Sequence, residues 1–187
     1  MTSTVNSTYD EVKQQQLSKY EADLHANSIW QRRNFYPTHL IFNRVSEKDK
    51  DNYWLKLFLN LDTEKKIQDT LYFVFEGKKY PLLIEKIKYS LKEGENTHTE
   101  NKIIKSKDKK KKEIITTDVY THHYKYHHTQ LKVEIPAQML SLIKVNEQMR
   151  IRLYIDDEAY NLDFNNFLMN KIRKVYSVDN QEVSVNP

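Results

Sequence analysis

No cysteine occurs in the 187 residues, which excludes a disulfide framework, a thiolate metal site and a cysteine nucleophile, and leaves the redox compartment open. Glycine is almost as scarce, with two residues, so a glycine-rich phosphate loop or a dinucleotide fingerprint has nothing to be built from. No apolar run approaches the ~18 residues of a membrane-spanning helix, and the first ten residues are too polar for a signal-peptide core. These absences predict a cytoplasmic protein if the chain is full length. A secreted or cell-envelope protein whose signal had been removed would read the same way.

Apolar residues make up 39% of the chain and aromatic residues 12%, thirteen of them tyrosine, a composition above the disordered regime and suited to strands. The net charge of +4 is local: Lys102 to Lys112 contains seven lysines and one aspartate, and subtracting this +6 leaves about −2 for the rest.

The most sharply patterned stretch runs from Gln130 to Tyr176. Leu131, Val133 and Ile135 alternate with polar residues as a half-buried strand does, and Pro136 then suits the first turn of a helix with Met139, Leu140, Ile143 and Val145 on one side. Met149, Ile151, Leu153 and Ile155 alternate again, Asp156 to Glu158 make a turn, and Tyr160, Leu162 and Phe164 return. Asp163 is placed to cap a closing helix whose apolar stripe is Phe164, Phe167, Leu168, Ile172, Val175 and Tyr176.

Upstream, Leu55, Leu57, Leu59 and Leu61 mark the clearest strand, and Leu71, Phe73 and Phe75 pass through a Glu76-Gly77-Lys78 turn into Tyr80, Leu82 and Ile84. Thr8 and Glu11 have the spacing of a capping box, which predicts a polar helix toward Arg33.

The fold expected is α+β and mainly β: an antiparallel two-sheet sandwich or a strongly curved sheet, with N-terminal, inter-strand and C-terminal helices. Its organisation is a polar tail and peripheral helix over 1–35, one β-rich domain over 36–178 with a mobile lysine-rich loop at 93–113, and a flexible tail over 179–187.

Candidate chemistry is sparse. G-x-S-x-G and H-E-x-x-H are absent, so no catalytic residue is assigned, and no cofactor is implied. Asp118 lies four or five residues from His122 and His123 but lacks a nucleophile. On a straight strand His122 and His128 would stand roughly 20 Å apart at ~3.3 Å per residue, too far to share a metal, so no metal ligand is assigned. Tyr120, His122, Tyr124, Tyr126 and His128 share one strand face, and an open tyrosine face fits a protein interface, whereas a covered one would be core.

The first reading is therefore a non-catalytic binding or assembly module whose partner is another protein, in an oligomeric state that the residues do not specify. The second is electrostatic binding of nucleic acid or an anionic surface through Lys105, Lys107, Lys109, Lys110, Lys111 and Lys112, although no aromatic residue is interleaved with this run. A small hydrolase or metal-binding protein is the third.

Overall fold

The computed structural model describes residues 3–10, 13–24, 38–47, 50–104 and 114–176. Strands β1 (Ser3–Asp10), β2 (Gln15–Leu24), β3 (Thr38–Glu47), β4 (Lys50–Leu61), β5 (Thr70–Phe75), β6 (Lys78–Ile104) and β7 (Ile114–Glu134) are followed by helix α1 (Ala137–Val145). The hairpin β8 (Met149–Ile155) and β9 (Glu158–Phe164) and helix α2 (Asn166–Tyr176) complete the described chain. All nine strands join in one open, mainly antiparallel sheet in the order β1-β2-β3-β4-β7-β6-β5-β8-β9. The mainly antiparallel β class expected from the alternating runs is what forms; the strand order is that of a single sheet, not of two.

The chain divides into two compact units, Met1–Ser90 with His127–Pro187, and Leu91–Tyr126. The hydrophobic core lies in the larger one. Its inward faces follow the period-two rule: Leu55, Leu57, Leu59 and Leu61 on β4, Leu71, Phe73 and Phe75 on β5, and Ile151 and Leu153 on β8 are all buried. Strands β3 and β9 stand six places apart in the strand order, which would separate them by about 29 Å in a flat sheet at ~4.8 Å per strand. Yet Phe42 meets Phe164 edge to face with ring centroids 5.8 Å apart, and Thr38 Oγ1 lies 2.7 Å from the Tyr160 hydroxyl. The sheet bends over its own inner face, and α1 and α2 fill that face with Met139, Ile143, Leu168, Met169, Ile172 and Val175.

The hairpin turns account for the unusual backbone. Asp156 and Asp157 have φ of 49° and 66°, and Glu76 and Gly77 of 48° and 81°, the paired left-handed conformation that matches the twist of two-residue hairpins. At Gly77 nothing would touch an added Cβ, so its requirement is conformational.

Four expectations need correction. The N-terminal helix is a hairpin: Thr8 pairs with Leu17 in the β1–β2 ladder, and Tyr20, Ala22 and Leu24 are buried in alternation on β2. Period-two burial outweighs the local capping pattern, because helices this polar depend on tertiary packing that these residues give to the sheet instead. The remainder of that expected helix, 25–35, lies outside the described residues, as does the tail at 179–187.

The expected loop at 93–113 is strand as far as Ile104. Its composition is polar on both faces, so it looks unstructured by sequence, but cross-strand pairs hold it: Lys125 Nζ is 2.7 Å from Glu93 and His123 Nδ1 is 3.1 Å from Glu95. Residues 105–113 lie outside the described residues.

Asp163 does not cap α2. Its carboxylate accepts from Arg150 across the β8–β9 pair, 2.5 Å from Nε, and the cap is Asn165, whose Oδ1 accepts from Leu168 N at 3.1 Å. Two apolar residues also miss the core, since Phe167 is 60% exposed and Val145 76%. At about 100° per residue the buried stripe Leu168, Met169, Ile172, Val175 and Tyr176 is centred near Ile172, and Phe167 points roughly 140° away from that centre.

Candidate binding surfaces

The expected tyrosine face is open in the smaller unit. Tyr120 is 48% exposed and Tyr124 39%, on a ribbon formed by the end of β6 and the start of β7, while Leu91 at 47% and Val119 at 61% stand exposed on its opposite face. Tyr124 and Tyr126 stack with centroids 6.0 Å apart, and His122 is exposed beside them. Two-stranded ribbons are marginal alone, and two devices support this one. Lys125 stabilises the Glu93 carboxylate by a hydrogen bond and its charge, holding its pKa below the ordinary value. Gly94 lies under the Tyr124 ring, where a Cβ would collide with the aromatic carbons. A cross-strand aromatic covering a glycine in a strand compensates for the missing side chain.

His128 belongs to the larger unit and has a different setting. Its Nδ1 lies 2.7 Å from Asn60 Oδ1, an arrangement in which the imidazole donates, and its ring stacks on Phe58 with centroids 5.9 Å apart. Phe58 also meets His39 at 5.5 Å, and His39 Nδ1 is 2.8 Å from Asp23. The five expected face residues are thus divided between the two units: Tyr120, His122, Tyr124 and Tyr126 in the ribbon, His128 in the larger one. Among the described residues no three His, Asp or Glu side chains converge as metal ligands do. His123 faces Glu95, and the side chain of Asp118 lies outside the described residues, as do Lys105, Lys107, Lys109, Lys110, Lys111 and Lys112.

Comparison with protein-family models, with curated proteins and with solved structures found no match to this chain. Any functional reading therefore starts from the surfaces themselves.

Sequence reasoning missed a second surface, on the outward face of the sheet in the larger unit. Trp54, Lys56, Lys86, Lys88, Gln130 and Lys132 line a shallow cleft of about 250 Å³ there. Its signal is present in the residues, as Trp54-x-Lys56-x-Phe58, but the leucines alternating with them dominate the strand assignment and leave the opposite face unread.

Proposed function

We propose that this protein is a non-catalytic binding or assembly module that engages another protein through the ribbon Leu91–Tyr126. The observation that carries the reading is the exposure of Leu91, Val119, Tyr120 and Tyr124 on an element with its own compact boundary. Exposed apolar and tyrosine area on a pair of strands gains free energy when a partner covers it, and tyrosine supplies contact area at low entropic cost with a hydroxyl left for polar contacts.

A photo-crosslinking residue in place of Tyr120, irradiated in cells of the native host, should yield one discrete protein adduct. Adding Val119→Asp and Tyr124→Asp should abolish it, and a crosslinker at Glu76, in the turn after β5, should give none. An adduct of twice the chain's mass would identify the partner as a second copy. If neither Tyr120 nor Tyr124 yields an adduct, the ribbon is not an interface and this reading fails.

A further inference from the structure

The cleft on the outward sheet face presents a charge arrangement that the fold alone does not favour. Lys56 on β4 is the direct cross-strand partner of Lys132 on β7, and like charges facing across an antiparallel ladder destabilise it. Lys86 and Lys88 bring two more ammonium groups to the same cleft from β6. Glu85 offsets Lys132 at 2.6 Å, and Glu134 stands opposite Trp54, but Lys56, Lys86 and Lys88 have no ion-pair partner among the described residues.

Aromatic surface is interleaved with this charge. Trp54 and Phe58 flank Lys56 on one face of β4, Lys132 Nζ lies 5.4 Å from the Trp54 ring centroid, and the Phe58 ring continues into His128 on one side and His39 on the other. The Trp54 indole N–H is buried with no hydrogen-bond acceptor among the described residues.

We propose that this face binds single-stranded nucleic acid, with phosphates held by Lys56, Lys86 and Lys88 and bases stacked along the Trp54–Phe58 row. Charge alone would serve any polyanion; flat aromatic platforms spaced between lysines on an open sheet are what a chain of bases uses in addition. Gln130 is the uncharged polar side chain lining the cleft, so contacts to base edges are few and little sequence preference is expected. This site shares no residue with the lysine run at 105–112, and it lies wholly within the larger unit.

The test is titration of the full chain with a fluorescent oligothymidylate of about a dozen residues, a length near one single-strand site. It is run at about 50 and about 200 mM salt, with inorganic polyphosphate as a base-free polyanion. Wild type should bind the oligonucleotide, and Lys86→Ala/Lys88→Ala, which changes only exposed side chains, should weaken it at least about tenfold. The same variant should lower the salt slope by about 1.4, or ~0.7 for each phosphate no longer neutralised. Trp54→Leu should weaken the oligonucleotide about fivefold or more while leaving polyphosphate affinity unchanged. Phe58→Leu gives the same readout if Trp54→Leu fails to fold. Three results would each overturn the proposal: no binding by wild type, equal loss of both ligands in the aromatic variants, or binding that survives Lys86→Ala/Lys88→Ala but disappears when Lys109 to Lys112 are changed to serine.

Discussion

Two buried tyrosines in the core look alike by burial and should respond oppositely to losing their hydroxyls. Tyr160 exchanges a 2.7 Å hydrogen bond with Thr38, itself fully buried, so Tyr160→Phe strands the threonine hydroxyl and should cost about 1–3 kcal/mol. The Tyr176 hydroxyl is buried with no hydrogen-bond partner among the described residues, so Tyr176→Phe removes an uncompensated desolvation and should be neutral or stabilising. Burial, and secondarily the nearby Tyr53, raises the Tyr176 phenol well above its ordinary value of 10.0. Above that value the unfolded chain releases this proton and the native state does not, so native stability falls as pH rises past about 10. Tyr176→Phe should flatten the fall, measured by denaturant unfolding at neutral and alkaline pH. A Tyr176→Phe variant as damaged as Tyr160→Phe would show that the Tyr176 hydroxyl has an acceptor after all. Neither role is legible in sequence: both tyrosines read as apolar-face residues, and hydrogen-bond partners over a hundred positions away, as Thr38 is from Tyr160, leave no local signal.

At the scale of elements, α2 distinguishes pattern from contact. Leu168 and Phe167 adjoin in sequence, but Leu168 is 3% exposed and Phe167 60%. Leu168→Ala should cost about 2–5 kcal/mol and Phe167→Ala about 0.5 kcal/mol or less, read from urea midpoints. Equal effects would mean that α2 does not close the core. Arg173 adds a polar tie, since its guanidinium donates to Ile143 O at 3.1 Å and also to Asn146 O, satisfying carbonyls at the end of α1. Arg173→Met keeps the apolar stem and should still cost about 1–3 kcal/mol, because those carbonyls lose a charged donor. How far such elements can be read follows from their patterning. β4, β8 and β9 alternate without interruption and are legible, hairpin turns included; β2 alternates only from Ser18 to Leu24, after a run of glutamines, and its composition favours a helix. The long strands β6 and β7 extend past the last core residue, where alternation has no buried face to record, so composition suggests a loop in the first and a strand in the second.

At the scale of the whole molecule, the buried apolar side chains of the larger unit come, among the described residues, from outside Leu91–Tyr126. Among the described residues, no buried apolar side chain lies between Leu82 and Leu131, while β7 and β6 still occupy the middle of the strand order, joining β4 on one side to β5 on the other. The base of the β6–β7 pair therefore joins the sheet, and the described residues beyond Leu91 add no buried apolar side chain. Closing a hairpin through a long excursion costs chain entropy that grows only slowly with length, so a short connection should serve the sheet at least as well. Replacing residues 92–126 by an Asn-Gly turn should leave a cooperative unfolding transition with a midpoint within a few degrees of wild type, since a loss of about 1 kcal/mol would move it about 2–4 °C at this size. The near-ultraviolet signal of the core tyrosines should persist, oligothymidylate binding through Lys86 and Lys88 should survive, and the crosslink at the ribbon should be gone by design of the variant. Loss of cooperative unfolding would show that the ribbon holds the two halves of the sheet together, and that Leu91–Tyr126 is a folding element before it is an interface.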